Sequence, residues 1–158
     1  NLTLANSIIH LNNDYRSYWA NAAAFIYGSG GTGSKIAATG NIFICDIFPS
    51  ATLFAATTNT DNGTATSGNT WDNNVYILLK GNKIAWNVTN PSTNSGSRLV
   101  QNFDDWKKQS GQDRHSLFFD LRNAPRGLKA IFTDTANGNY DLAHMSGGNQ
   151  IAALHARM

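Results

Sequence analysis

The segment NDYRSYWAN, residues 13–21, crowds three aromatic rings and two charges into one polar stretch. Tyr15, Tyr18 and Trp19 offer flat faces on which a ring-shaped ligand stacks, and Asp14 and Arg16 offer hydrogen bonds to hydroxyls or carboxylates. Tyr15, Arg16, Tyr18 and Trp19 are therefore the candidate binding residues, against the plainer alternative that the aromatics pack a long loop onto the strands beneath. A second unusual stretch, FDDWKKQSGQDRHS at 103–116, holds Asp104, Asp105, Lys107, Lys108, Asp113 and Arg114 in a chain with only 12 Lys and Arg and 10 Asp and Glu. His115 beside Asp113 has the makings of an oriented general base, or simply of a hydrogen-bonding residue.

Other motifs fail on their own chemistry. GSGGTGSK at 28–35 is glycine-rich, but a phosphate loop ends in Gly-Lys-Ser/Thr, so that the lysine reaches phosphate and the hydroxyl reaches metal; here the order is Gly33-Ser34-Lys35-Ile36. His10, His115, His144 and His155 lack ligand spacing and a Cys partner, Cys45 being the only cysteine, so no metal and no cofactor is expected. Cys45 lies in the apolar run NIFICDIF and reads as a small buried hydrophobe.

What must position these groups is mostly strand. LTLANSIIHL, AAAFIYG, SKIAATGNIFICDIF, ATLFAATT, NNVYILLKGNKIAWNV and GLKAIFTD are apolar runs separated by Gly, Asn and Asp clusters. Gly81-Asn82, between two such runs, suits a tight turn. Three segments align without gaps: Asn6-Ser7-Ile8-Ile9, Gly40-Asn41-Ile42-Phe43 and Asn73-Asn74-Val75-Tyr76, with offsets of 34 and 33 residues. A near-constant offset is what stacked coils of a β-solenoid produce, because each coil repeats the same turn at the same height and like side chains stack in the interior. FDDWKKQ reads as a short amphipathic helix: Phe103 and Trp106 share a face, Asn102 or Asp104 caps its start, and Gly111 ends it. Laid over the open end of the coils, it turns its charges to solvent.

Length and charge narrow the field. A chain of 158 residues fits one domain that buries a core without disulfides. The formal charge is +2 with Lys and Arg scattered, which excludes the basic stripe of a nucleic-acid binder. No apolar run approaches the roughly 18 residues of a membrane helix, and no signal peptide is present. The chain begins inside a strand-like pattern without Met, so it reads as a processed chain or a piece of a longer one. Its first coil then needs covering by a parent or companion chain that carries earlier coils.

NNVYILLKGNKI, followed by FDDWKKQSGQDRHS and then GNYDLAHMSG, resembles the C-terminal region of right-handed parallel β-helix proteins of the polysaccharide-lyase and glycoside-hydrolase-like group. The likeness runs through Asn73, Asn74, Val75, Tyr76, Phe103, Trp106, Gly111, Gln112, Asp113, His115, Ser116, Asn139, Tyr140, Leu142 and Ser146, and covers residues 70 to 150. Two departures stand out: RNAPRGLKA lengthens the connection after Ser116, and SGGNQIAAL replaces a proline-containing ending. The resemblance implies an all-β fold, a right-handed parallel β-helix forming a single domain over 1–158. Coils occupy about 1–100, and a closing helix near residues 102–110 with a terminal coil occupies 101–158. The alternative is an antiparallel β-sandwich, which the hairpin-like turns keep open.

The resemblance further implies a secreted or extracellular protein that binds acidic or neutral polysaccharide, with lyase, hydrolase or no catalysis all open. A non-catalytic structural or adhesive β-solenoid is the alternative. Sugar cleavage needs two carboxylates, or a base with a neutralising cation. By the repeat, Asn12, Asp46 and Leu79 share a height and Lys80 falls one step further along the next coil, so Asp46 and Lys80 are the catalytic candidates.

Overall fold

The computed structural model of the chain describes residues 2–11, 25–26, 36–46, 52–56, 60–61, 64–65, 70–79, 83–89, 97–100, 102–144 and 146–156. The apolar runs form strands, in chain order β1 (Leu2–Ala5), β2 (Ile8–Leu11), β3 (Phe25–Ile26), β4 (Ile36–Thr39), β5 (Ile42–Cys45), β6 (Thr52–Ala56), β7 (Thr60–Asp61) and β8 (Thr64–Ala65). Then come β9 (Thr70–Asp72), β10 (Val75–Leu78), β11 (Lys83–Thr89) and β12 (Ser97–Val100). After them follow helix α1 (Phe103–Ser110), β13 (Leu117–Asp120), β14 (Phe132–Asp134), β15 (Asn139–Leu142) and helix α2 (Ser146–His155).

Strands from successive passes of the chain lie side by side. One sheet has the order β1-β4-β9, a second β13-β10-β5-β2 and a third β12-β11-β6-β3. Every neighbouring pair in these three sheets is parallel except β11 with β12. In the second sheet Ile8 pairs with Ile42, Ile42 with Val75 and Val75 with Leu117, so the segments aligned in the sequence are spatial neighbours. Gly81-Asn82 falls outside the described residues; the strands flanking it, β10 and β11, belong to different sheets and do not form a hairpin.

The corner between the first two sheets explains the repeat. Asn6, Gly40 and Asn73 hold φ of 51°, 68° and 56°, a left-handed conformation that Gly and Asn accept at least cost. The residue after each of these works as a rung. The Asn41 side-chain oxygen accepts the Ser7 N–H (3.1 Å), the Asn74 side-chain oxygen accepts the Asn41 N–H (3.1 Å), and the Ser116 hydroxyl accepts the Asn74 N–H (2.8 Å). The amide nitrogens donate in the other direction, Asn41 to the Leu4 carbonyl and Asn74 to the Ala38 carbonyl, both at 2.9 Å. Asn41 and Asn74 are fully buried, so these bonds spare the corner unsatisfied polar atoms.

Both faces of the second sheet are covered, which is why β5 and β10 are buried at every residue instead of alternating. On one face Phe43 stacks on Tyr76 at 5.4 Å, Tyr76 meets Phe103 of α1 at 5.7 Å, and Phe103 meets Phe118 at 5.8 Å. On the other, Ile42, Ile44, Val75 and Ile77 pack with Leu128, Ile131, Phe132, Ile151 and Leu154 from the C-terminal segment. Ile8 belongs to this aliphatic column but stands 44 % exposed, because that cover stops short of the first strand.

Helix α1 starts where Asn102 accepts the N–H groups of Asp104 (2.9 Å) and Asp105 (3.0 Å), and it stops at Gly111 with φ 69°. Trp106 points into the core while Asp104, Asp105 and Lys108 face solvent, and Lys107 lies over the Phe103 ring at 4.7 Å. Helix α2 has no counterpart in the sequence expectations. Its Gly148 is required by contact, since a Cβ there would lie 2.1 Å from the Ala143 carbonyl oxygen.

Replacing Asn74 with Ala removes the side-chain partners of the buried Asn41 N–H and the Ala38 carbonyl and one of the two donors at an Asp113 carboxylate oxygen. Urea denaturation of Asn74→Ala is expected to give a loss of about 3–5 kcal/mol, well above the ~1 kcal/mol of a single exchanged hydrogen bond. A loss under ~1 kcal/mol would contradict the rung role.

Candidate functional site

The hairpin β14–β15 builds one wall of a cleft. Its turn closes at Gly138 (φ 75°) with Asn137 donating to Asp134 at 2.6 Å, and Phe132, fully buried, anchors it. Tyr140 stands edge-on to Phe132 (5.4 Å between centroids, 74°). Opposite are Asn6, Ser7 and Ile8 at the turn from β1 to β2 and Gly40 and Ile42 at the turn from β4 to β5, while Tyr140, Asp141 and Leu142 close the near side. The space between is about 670 Å³, within the range of small-molecule sites. The lining sets the apolar Ile8, Ile42 and Leu142 beside the polar Asn6, Ser7 and Tyr140.

Behind the tyrosine lies a chain of side chains from three parts of the sequence. The Tyr140 hydroxyl is 2.6 Å from His10 Nδ1, and His10 Nε2 is 3.5 Å from the nearer Asp46 carboxylate oxygen. His10 and Asp46 are largely buried. The ring is hydrogen-bonded at Nδ1 to the phenol, while the buried Nε2 faces Asp46 without a hydrogen bond. Strand alternation brings them together. His10 pairs with Ile44, so Asp46, two residues further along, projects from the same face. A hydroxyl, an imidazole and a carboxylate from three parts of the chain thus meet behind the cleft.

Two further carboxylates are held differently. Asp113, buried with φ 50°, accepts four neutral donors: Asn74 Nδ2 (3.1 Å) and the Ser116 hydroxyl (2.5 Å) at one oxygen, the Tyr76 hydroxyl (2.9 Å) and Trp106 Nε1 (2.8 Å) at the other. Burial pushes its carboxyl above the ordinary value, against the pull of those donors. Asp72 sits near the surface. Its partial burial acts upward but is outweighed by the His115 N–H (2.9 Å), the His115 ring (2.7 Å), the Asn73 backbone and the imidazole charge, leaving the carboxyl below the ordinary value.

His115 therefore faces outward to Asp72, and Asp113 faces inward to the core; the two do not form the base and carboxylate that their adjacency in the sequence allows. Asp46 lies near His10 and Tyr140. Lys80, Tyr15, Arg16, Tyr18 and Trp19 lie outside the described residues. His10 and Tyr140 escaped sequence reasoning because they are 130 residues apart and neither sits in a motif. Among the described residues no group of three or more His, Cys, Asp or Glu is placed to hold a metal ion, and no helix is long and apolar enough to cross a membrane. No protein-family model, curated protein or solved structure matches the chain.

The carboxyls predict opposite pH dependences. Asp72, depressed when folded, contributes stability above its unfolded value of roughly 3.9 and loses it as pH falls through the lower folded value. Asp113, raised when folded, contributes fully below that unfolded value and loses it as pH rises through the folded one. Urea midpoints of wild type and Asp72→Asn measured across the acid range should differ at neutral pH and converge on acidification. A gap that persists or widens in acid would refute the assignment.

Proposed function

We propose that the chain is a stretch of right-handed parallel β-helix, its last coils with a closing helix, from a secreted carbohydrate-active protein, and that it binds polysaccharide. The stacking of parallel strands in three sheets, with the second registered at Ile8, Ile42, Val75 and Leu117, supports the architectural part. The observation that carries the binding part is the cleft walled by Tyr140. Ile8 and Leu142 match the C–H face of a sugar ring, and Asn6 and Ser7 match its hydroxyls. In this reading the aromatic segment with Tyr15, Arg16, Tyr18 and Trp19, which follows β2, adds further ring contacts. Asp46 acts through His10 on Tyr140, and Lys80 stays with Asp46 as the pair to test for cleavage.

A structural or adhesive β-solenoid is the second reading, favoured by one observation. Strands β1, β2 and β3 are each the first edge of their sheet, and Ile8 on that edge is bare. Such an edge suits association with a companion or parent chain carrying further coils.

A polysaccharide panel with titration calorimetry separates the two. Wild type should bind at least one polysaccharide, and the double variant Asn6→Gly, Ser7→Ala should bind it about tenfold more weakly. Its unfolding midpoint should barely move, because glycine keeps the left-handed turn, the Ser7 hydroxyl makes only an exposed bond to the Ala5 carbonyl, and alanine keeps the Ser7 backbone bonds. A stable oligomer that binds nothing on the panel would favour the structural reading.

A further inference from the structure

We propose that the edge of β2 docks a parallel strand of a companion chain, gripped at two points by Ser7 and Ile8; this names the partner of the structural reading above and rests on it. The same grip occurs three times within the chain. The Ser7 N–H goes to the Asn41 side-chain oxygen (3.1 Å), and the Ser7 carbonyl accepts the Ile42 N–H (2.9 Å). Asn41 is held in the same way by the Asn74 side-chain oxygen (3.1 Å) and the Val75 N–H (2.7 Å). Asn74 in turn is held by the Ser116 hydroxyl and the Leu117 N–H, both at 2.8 Å. Each strand turn thus offers a side-chain acceptor and, one residue later, a backbone donor, and the two hold one residue of the neighbouring strand.

The Ser7 hydroxyl and the Ile8 N–H are the corresponding pair at β2, and among the described residues no strand lies on that edge. The hydroxyl donates to the Ala5 carbonyl (3.0 Å), which leaves its oxygen lone pairs to accept. A serine can fill this role, because the Ser116 hydroxyl donates to Asp113 while it accepts the Asn74 N–H. Ile8 is the one large hydrophobic side chain exposed among the described residues, and it ends the column Leu117, Val75, Ile42. A strand laid on β2 buries it.

Register specifies the occupant. The gripped residue lends both an N–H and a carbonyl, so it is not proline. The residue before it takes the place held by Asn6, Gly40 and Asn73, all at positive φ, and is Gly or Asn. The residue after it lies beside Ile8 and is aliphatic, as Ile42 and Val75 are. A second copy of this chain fits poorly at its far end. There the Ser116 N–H is already taken by the Asp113 carbonyl (3.1 Å), and β12 runs antiparallel to β11, so it cannot continue the parallel order at β3.

Fluorescence anisotropy of the full chain with a labelled peptide TWDNNVYIL, a copy of residues 70–78 that carries the required pattern at Asn73, Asn74 and Val75, tests this. The peptide should bind, and methylation of the peptide nitrogen at its Asn74 should weaken it about tenfold. Ser7→Ala should weaken the unmodified peptide about fivefold with the unfolding midpoint unchanged, and Ser7→Asn, the residue type of the next two turns, should keep its affinity. No binding, or binding indifferent to N-methylation or to Ser7→Ala, overturns the docking; the structural reading then stands if the chain still forms a stable oligomer. Self-association in sedimentation that Ser7→Ala abolishes puts a second copy on the edge and overturns the companion strand alone. A monomeric chain that binds polysaccharide and not the peptide overturns both.

Discussion

The corner ladder that ends on Asp113 is the constraint around which the rest is arranged. A parallel strand stack turns a corner at the same height in every coil, and each corner leaves backbone N–H groups facing the interior. Here Asn41, Asn74 and Ser116 take up those groups one strand turn at a time, and Asp113 receives the amide of Asn74, the hydroxyl of Ser116, the Tyr76 phenol and the Trp106 indole. An unmet polar atom in that interior costs on the order of 1–3 kcal/mol, so a change at one rung is felt at its neighbours. Because Asp113 ties α1 through Trp106 to β10 through Tyr76, the position of the helix follows from the corner chemistry as much as from its own amphipathic face.

That helix and the C-terminal segment divide the labour of covering the second sheet. Aromatic side chains on one face meet Phe103 of α1, and aliphatic side chains on the other meet residues 128–154. The segment from 121 onward reads as a lengthened connection in the sequence, and its role is now physical: it keeps water from the column Ile42, Val75 and Ile44, Ile77. It stops before Ile8, and the cleft lies where the cover stops, between the uncovered first coil and the β14–β15 hairpin. The candidate site is thus a by-product of incomplete coverage, furnished with polar groups by the turn residues of one element and the strand residues of another.

Legibility in the sequence tracks range. The offsets linking Ser7, Asn41 and Asn74 could be read directly, since similar turns repeat similar small polar residues, and the ends of α1 at Asn102 and Gly111 could be read from local capping chemistry. The second helix was hidden by Gly147-Gly148 in its first turn, residues of low helix propensity, the second of which a close approach to the Ala143 carbonyl requires. Asp46 was singled out for its height on the coil, yet its partners could not be named. His10 comes from the first coil and Tyr140 from a hairpin far along the chain, and no periodicity connects them. Asp113 and His115 illustrate the reverse, two neighbours in sequence that the left-handed backbone at Asp113 sends to opposite sides of the chain.

Taken alone, the amino-acid order determined what depends on local or repeating geometry: strand-forming runs, the turn positions where Asn and Gly adopt positive φ, the caps of α1, and which residues recur at equal height. Tertiary structure alone decided which face of each strand was covered, by what, and where the cover ended. The reason is that burial and pairing energies depend on who arrives from elsewhere in the chain. Side-chain alternation tells that His10 and Asp46 share a face; only the docking of the hairpin decides that a phenol meets them there.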